Sequence, residues 1–291
     1  MKLEGRRESA HVEDRRGQGG KMAGLAGGAG IVGVIIYLIS TFMGGGNVDL
    51  GSVLGSIMTI DPSGEVTSSG EFTEEEQALA KFSSQILAST EDVWTAEFAK
   101  MGKTYRAPTL VLYTGATSTR CGQGQSAMGP FYCSADENLY IDLSFFQTMR
   151  KQLGADGDFA YAYVIAHEVG HHVEKLMGDL DREHQRMKGL SEKEANKRSV
   201  RIELQADFYA GVWGYHEKKM FGSLEDGDLQ EALDCAKKIG DDYLQKKGQG
   251  YVVEDSFTHG SAEQRFRWLK KGLTTGDMSQ RDTYNIPESQ L

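Results

Sequence analysis

The sequence predicts a helix-dominated α+β domain with a small sheet, preceded by one transmembrane helix. Apolar residues recur at helical spacing over most of residues 73–291, which indicates amphipathic helices around a shared core. Two runs rich in β-branched and aromatic residues, 109–114 and 138–142, predict strands of a small sheet. Residues 22–43 carry no charge and are long enough to cross a bilayer as a helix.

The charge distribution sets apart the beginning of the chain and excludes one class of partner. The 291 residues carry a net charge of -10, yet residues 1–21 hold six Lys or Arg against four acidic residues. A nucleic-acid-binding protein needs a basic face, so we expect no nucleic acid as a partner. A basic flank before an apolar span predicts that the N-terminus lies in the cytoplasm.

These features divide the chain into four segments. We expect a basic cytoplasmic tail at 1–21, a transmembrane helix at 22–43, a Gly- and Ser-rich linker at 44–72 and a folded domain at 73–291. In a bacterium, a single span then fixes the domain to the inner membrane, on the periplasmic or extracellular side. We expect residues 1–46 to have no fixed structure outside a bilayer.

Other interpretations of the apolar segment stay open. A cleaved signal peptide needs a small-x-small site, and residues 41–44 offer a poor one. The Arg6-Arg7 and Arg15-Arg16 pairs are compatible with twin-arginine export, and a buried core helix is the third alternative. Small residues at 23–30 would let two membrane helices pack closely, so a homo-oligomer is possible but has no other support.

The three cysteines fit an exported domain. Cys121 and Cys133 bound a 13-residue glycine-rich loop and form no Cys-x-x-Cys motif, which argues against a thiolate zinc site. In an oxidising compartment we expect them to form a disulfide, and in a reducing one they would be two buried thiols. Cys235 lies in a helical pattern and is interpreted as a buried free thiol.

Capping signals and apolar spacing predict the helices in order. Thr73 and Glu76 form a capping box that opens the first helix, and Ser89 begins a second. A helix over 144–153 follows the predicted strands. Asp156 or Asp158 caps the next helix, which ends near Met177. Three further helices are predicted at 191–219, 223–247 and 261–271.

The chemistry is indicated by His167-Glu168-Val169-Gly170-His171. Histidines four apart lie on one face of a helix, so both rings can bind one metal ion. A catalytic zinc takes three protein ligands and leaves one position open for water. The third ligand has to come from elsewhere, and Glu203 is the candidate on a downstream helix. This set predicts one zinc ion per chain.

Asp207 lies one turn after Glu203 and on the same face, where it can accept the free ring N–H of a ligating histidine. Both acids lie among apolar residues, and a buried carboxylate needs a metal or a histidine as a partner. The alternative is a solvated acidic helix face.

Glu168 is the candidate general base for a zinc-activated water. His259, before the last helix, is the candidate donor to a developing oxyanion, with a packing or capping role as the alternative. Tyr163 and Tyr209 are weaker candidates for that donor. His172 is interpreted as a packing or surface histidine.

The motifs together resemble the bacterial neutral zinc metallopeptidase family. The resemblance lies in His167-Glu-Val-Gly-His171-His172, in Glu203-Leu-Gln-Ala-Asp207, in residues 258–265 and in the Cys121–Cys133 region. It implies a gluzincin-like, zincin-type fold. It also implies zinc ligation by His167, His171 and Glu203, with Glu168 as the base.

The predicted function is therefore hydrolysis of peptide or unfolded-protein substrates by a membrane-anchored zinc metallopeptidase. We expect an extended substrate to pair with a sheet edge at 138–142, which favours broad specificity. One alternative is an envelope-tethered zinc-binding assembly module, whose closed site would need His172 or Asp207 as a fourth ligand. Another is a cell-wall amide hydrolase.

Overall fold

The computed structural model describes residues 1–17 and 72–291. The predicted transmembrane helix at 22–43 lies outside the described residues, as does nearly the whole predicted linker. Within the described ranges, no helix is both long and apolar enough to cross a membrane. The predicted class, a helix-dominated α+β domain with a small sheet, is confirmed for this part of the chain.

The described residues form one four-stranded sheet and a separate two-stranded hairpin. The strands are β1 (Val12–Asp14), β2 (Thr109–Tyr113), β3 (Ala116–Thr119), β4 (Gly122–Gln125), β5 (Phe131–Cys133) and β6 (Asn138–Asp142). The sheet order is β1-β2-β6-β5, in which β1, β2 and β6 run parallel and β5 runs antiparallel to β6. Strands β3 and β4 form the hairpin.

The position of β6 corrects one expectation. The sequence predicts the strand at Asn138–Asp142 correctly, but β6 lies between β2 and β5 and so has no free edge for a substrate. The terminal strand on that side is β5, which lies inside the disulfide loop. Strand β5 has three residues and follows Gly129 and Pro130. It is too short to show the alternation of polar and apolar residues that identifies a strand in a sequence.

The helices of the described residues number eight. They are α1 (Glu74–Lys100), α2 (Ser144–Thr148), α3 (Asp158–Met177), α4 (Asp179–Met187), α5 (Glu192–Phe221), α6 (Asp228–Lys238), α7 (Asp241–Gln249) and α8 (Ala262–Thr275). The capping boxes at Thr73 and Ser261 form with both reciprocal hydrogen bonds. A π-helical turn over Met149–Leu153 continues α2.

Three helix boundaries differ from prediction. Helix α1 does not break at Ser89, and the Thr90 hydroxyl donates to the Leu87 carbonyl oxygen of the preceding turn instead of capping a new helix. The helix predicted at 223–247 divides into α6 and α7 around Gly240, where a Cβ atom would lie 2.3 Å from the Ala262 nitrogen. Gly157, with φ of 118°, precedes α3 in place of the predicted aspartate cap.

Residues 1–17 pack against the domain and are not a separate tail. Strand β1 extends the sheet beside β2, with Val12 opposite Leu110, and Leu3 enters the core. Arg6 donates to the buried Glu217 of α5 at 2.9 Å. The expectation that residues 1–46 lack fixed structure is therefore wrong for residues 1–17, because backbone pairing and buried charge hold them in place.

Two close helix crossings position the site. A Cβ atom at Gly170 of α3 would lie 2.8 Å from the Ala206 carbonyl oxygen of α5, so glycine allows these helices to approach. Gly211 of α5 faces α8, where a Cβ would lie 2.3 Å from the Leu269 carbonyl oxygen. Helix α5 is therefore packed between α3 and α8.

Candidate active site

Helix α3 carries both histidines of the His-Glu-x-x-His motif on one face. The rings of His167 and His171 lie with their centroids 4.8 Å apart at an interplanar angle of 84°. His167 is buried and His171 is half-buried at the floor of a cleft. The four-residue spacing therefore brings the two imidazoles together as the sequence predicts.

Glu203 of α5 completes a group of three ligand atoms. Its Oε2 lies 3.1 Å from His167 Nε2, and its Oε1 lies 3.5 Å from His171 Nε2. One ligand atom from each of the three residues lies within 4.8 Å of the others. Burial opposes the charge on Glu203, but His171 and His259 hold its pKa well below its usual range. Two imidazole nitrogens and one anionic carboxylate are a donor set that fits catalytic zinc.

Asp207 lies behind His167, where the sequence predicts a supporting carboxylate. Its Oδ1 is 2.8 Å from His167 Nδ1, so the ring presents Nε2 to the ligand cluster. Arg265 of α8 clamps the same carboxylate with two hydrogen bonds of 2.9 Å, and Tyr163 donates to it at 2.6 Å. Burial would raise the pKa of Asp207, but Arg265 and His167 lower it to about 2.

Sequence reasoning missed Arg265 and Glu174. Glu174 is fully buried and its Oε2 lies 2.8 Å from His171 Nδ1, so the second histidine also has a carboxylate behind it. Tyr284, near the C-terminus, donates to Glu174 Oε1 at 3.3 Å. The three-residue spacing from His171 was a usable signal for Glu174. Arg265 ends the motif at 258–265, but its partner Asp207 is 58 residues away, so no local spacing indicated its role.

Glu168 lines the cleft together with the three cluster residues. It is 8% exposed, and burial raises its pKa above the ordinary value while the two histidines oppose the shift. A carboxylate in such an environment can both accept and return a proton.

His259 reaches the same cleft from the loop before α8. Its Nδ1 lies 3.2 Å from Asp241 Oδ1. The other carboxylate oxygen of Asp241 accepts the backbone N–H groups of Thr258, His259 and Gly260, at 2.7–3.0 Å. Asp241 therefore shapes the loop and orients the ring. Burial would lower the pKa of His259, but Asp241 and Glu203 raise it to about 9.

The other oxyanion candidates are placed differently. Tyr163 lines the cleft, but its hydroxyl donates to Asp207 behind the cluster. Tyr209 is fully buried against Trp94, outside the residues that line the cleft. Neither hydroxyl is presented to a substrate.

The cleft has a volume of about 350 Å³, and its opposite wall comes from the disulfide loop. Cys121 and Cys133 are bonded as predicted, and residues 127–132 of their loop face the cluster. Phe145, Leu153, Ile239 and Leu244 add apolar surface. Cys235 is buried and unbonded, as predicted. The site is therefore an apolar cleft whose polar floor holds three potential metal ligands.

Comparison with known proteins agrees with this geometry. A family model described as "Putative neutral zinc metallopeptidase" matches residues 1–284. The chain belongs to this family. The resemblance drawn from the motifs is thereby confirmed, and zinc is the metal that the family implies.

The curated relatives carry no assigned activity. The chain is 50% identical to "Uncharacterized protein YpfJ" of Escherichia coli K12, over 98% of this chain and 99% of the relative. It is 41% identical to "Uncharacterized protein Mb2605" of Mycobacterium bovis, over 63% of this chain and 64% of the relative. No solved structure matches the chain significantly.

Proposed function

We propose that this protein is a zinc-dependent peptidase that cleaves peptide bonds in extended or unfolded substrates. The observation that carries the proposal is the grouping of His167, His171 and Glu203 ligand atoms within 4.8 Å, in a cleft that Glu168 also lines. These three residues would hold zinc. When bound, zinc supplies Lewis acidity that activates water and polarises a carbonyl group.

Glu168 acts as the general base. Its carboxylate accepts a proton from the attacking water and transfers it to the leaving nitrogen of the cleaved bond. Burial favours the protonated acid, which makes Glu168 an adequate donor in the second step. One residue of the chain thus moves the proton in both directions.

His259 donates a hydrogen bond to the developing oxyanion. Asp241 engages Nδ1, so Nε2 is the ring atom left to donate. The raised pKa keeps the ring cationic at neutral pH, and a cationic ring carries hydrogen on both nitrogens. A preorganised donor of this kind stabilises negative charge that develops in the transition state.

The substrate binds along β5. This strand is the terminal one of the sheet, and Phe131 and Tyr132 line the cleft. An extended peptide can pair with its backbone, as peptides do at other sheet edges. Backbone pairing accepts many side chains, so we expect broad specificity. A substrate panel in which one side chain is strictly required would contradict that expectation.

The arrangement around the cluster favours a catalytic site over a closed structural one. A structural zinc needs four protein ligands. His172 points to Tyr132 and to the Arg106 carbonyl, while the Asp207 oxygens bind His167, Arg265 and Tyr163. Within the described residues, neither alternative fourth ligand faces the cluster. A zinc ion held by His167, His171 and Glu203 would therefore keep a position open to water.

The deciding experiment compares the full-length protein with Glu168→Gln. The whole chain is needed because a fragment that starts at residue 73 would lose β1 and leave Glu217 without Arg6. We expect one zinc per chain in both proteins and digestion of casein by the wild type alone. Intact zinc binding without hydrolysis of any unfolded protein would contradict the proposal, and release of peptides from purified peptidoglycan would point to a cell-wall amidase.

A further inference from the structure

His172 directly follows the ligand His171 but lies about 100° further around α3. It is fully buried, and its Nε2 lies 2.7 Å from the Arg106 carbonyl oxygen. A carbonyl oxygen can only accept, so Nε2 carries the hydrogen. Nδ1 is then an acceptor, and the Tyr132 hydroxyl donates to it at 2.9 Å. The tautomer of His172 is thus fixed by its two partners.

Tyr132 is the central residue of β5. Its backbone lies opposite Leu139 of β6, and its side chain lines the cleft. The next residue, Cys133, carries the disulfide to Cys121. The hydrogen bond between Tyr132 and His172 therefore joins the edge strand to the helix that carries the metal ligands.

We propose that His172 and Tyr132 are positioning residues that hold β5, and a substrate paired with it, in a fixed register against the metal centre. The proposal rests on the proposed peptidase function and names the residues that set its cleavage register. Because a strand repeats every two residues, a loosened β5 would present neighbouring peptide bonds to Glu168. The bond that is cut would then vary.

Tyr132→Phe tests this with a matched control. The change removes the hydroxyl and keeps the ring, which packs 5.5 Å from His172. Tyr105 also packs edge-on against His172, at 5.9 Å, but its buried hydroxyl has no partner among the described residues. Tyr105→Phe is therefore the same chemical change at the same histidine without loss of the hydrogen bond.

We expect Tyr132→Phe to cut a long unstructured peptide at several neighbouring bonds where the wild type cuts at few, as mass spectrometry of the products would show. A loss of stability alone would reduce all products equally and leave their ratios unchanged. Tyr105→Phe should keep the wild-type product ratios. Unchanged ratios in Tyr132→Phe would overturn the proposal.

A second measurement separates this proposal from the peptidase function. Amide hydrogen exchange at residues 131–133 should become at least about tenfold faster in Tyr132→Phe and not in Tyr105→Phe, because one buried hydrogen bond restrains the strand. This readout does not depend on catalysis. Equal exchange in all three proteins overturns the positioning role, whether or not the wild type is active. Faster exchange in Tyr132→Phe, together with an inactive wild type, refutes only the peptidase function.

Hydrogen bonds join residues 1–17 to the domain at 72–291, and they limit where a membrane could lie between these two ranges. The Ser9 N–H donates to the Ser84 carbonyl of α1, and the Leu110 N–H of β2 donates to the His11 carbonyl. The Gln85 side chain donates to the carbonyls of Leu3 and Arg6. Backbone pairing and side-chain contacts therefore join residues 1–17 to both the sheet and α1.

Buried charge makes the same connection. Glu217 of α5 is fully buried, and Arg6 is its cationic partner, with Ser89 and Ser223 as further donors. Removing one member of a buried ion pair leaves a costly uncompensated charge. Residues 1–17 thus supply an edge strand and the cation that pairs with Glu217 to the domain at 72–291.

We infer that residues 1–17 and the active-site cleft lie on the same side of any membrane that the protein meets. A single crossing between them would place them on opposite sides of about 30 Å of hydrocarbon, which the observed pairing does not allow. This inference replaces the arrangement expected from sequence, in which a single span separates a cytoplasmic N-terminus from an exported domain.

Two variants, each with one added cysteine as a reporter, test this inference in cells that produce the full-length protein. Glu8 and Glu263 are exposed, one in each described range, and Glu8→Cys and Glu263→Cys would be treated with a membrane-impermeant maleimide. The wild type should stay unlabelled, since Cys121 and Cys133 are bonded and Cys235 is buried. We expect both reporters to label in intact cells, or both only after lysis. Labelling of one reporter alone in intact cells would overturn the inference.

Discussion

Two aspartates each orient a histidine of the cleft, and they do so by different means. Asp207 is fully buried and is held by Arg265 and Tyr163. His167 therefore bonds to a carboxylate that is part of a buried ion pair. Asp241 is held by three backbone N–H groups of the loop that it shapes, and its histidine, His259, is 44% exposed at the side chain.

The difference matches the two tasks. A metal ligand must keep one tautomer and one position, and a buried charge pair enforces both. A donor to a transient oxyanion must carry a hydrogen and must meet an arriving substrate, and a carboxylate behind a half-open ring favours the protonated ring without closing the cleft. Substitutions at the two aspartates and their partners should therefore differ in their effects on stability, zinc affinity and pH dependence.

The largest expected effect follows from removing the charge that balances Asp207. Arg265→Met leaves this buried carboxylate without its cation, and we expect the free energy of unfolding to fall by about 3–5 kcal/mol. Urea unfolding in the presence of a chelator measures the loss without a contribution from bound zinc.

The control for that prediction is Arg267→Met on the same helix. Arg267 is 45% exposed, pairs with an exposed Glu263 at 3.8 Å and donates to the Leu291 carbonyl oxygen. It balances no buried charge, so its loss should lower stability by less than about 2 kcal/mol. The double variant Asp207→Asn/Arg265→Met should recover part of the loss, because no unpaired charge is left. Equal stability of Arg265→Met and the wild type would show that the ion pair does not support His167.

Zinc affinity should separate the two aspartates. Asp207→Asn weakens the support of a metal ligand, and we expect a loss of roughly 10–100-fold in zinc affinity, measured by competition with a chelating dye. Asp241→Asn keeps an acceptor oxygen for the loop amides and does not touch a ligand, so its zinc affinity should stay within about twofold of wild type. Equal losses of zinc affinity in both variants would show that Asp207 and Asp241 do not differ in their support of the metal site.

Local spacing accounts for what the sequence predicted at this site. The four-residue intervals from His167 to His171 and from Glu203 to Asp207 each fix one helix face, and the structure brings both faces together. The capping boxes at Thr73 and Ser261 likewise depend on neighbours three residues away.

What sequence reasoning missed depends on distant partners or on short elements. Asp241 lies 18 residues before His259, and no periodic pattern links the two. Strands β1 and β5 have three residues each, too few to show alternation. Charged composition made residues 1–17 resemble a free tail, because β pairing with β2 and the ion pair to Glu217 exist only in the folded chain.

A smaller effect is expected behind the other ligand histidine. Tyr284→Phe removes a 3.3 Å hydrogen bond to Glu174 and keeps the ring in place. We expect a loss of less than about 1 kcal/mol in stability and of a fewfold in zinc affinity, since Glu174 retains its 2.8 Å contact with His171. Glu174→Gln, measured in parallel, should reduce zinc affinity more than Tyr284→Phe does. The reverse order would mean that Tyr284 supports the site by another route.

The smallest change at neutral pH, and the most specific, concerns His259. Asp241 accepts from Nδ1, so Nε2 carries a hydrogen only while the ring is cationic. Burial and Arg265 lower the pKa of His259, while Asp241 and Glu203 raise it to about 9. A raised pKa means that the cation is present below about pH 9 and is lost as pH rises through that value. We therefore expect kcat/KM of the wild type to fall on the alkaline side, at a pH no higher than about 9, because zinc held by Glu203 would offset one of the charges that raise the pKa.

Asp241→Asn removes a negative charge that raises this pKa. With its oxygen kept on the loop amides, its NH2 group would donate to Nδ1, so the neutral ring keeps its hydrogen on Nε2 and the alkaline decline should weaken. At pH 7 the rate should fall by less than about tenfold, because a neutral ring replaces a cationic one as the donor. His259→Gln, which cannot titrate, should lose the decline altogether. An unchanged alkaline profile in both variants would show that His259 is not the cationic donor, and the aspartate behind it would then serve only to shape the loop.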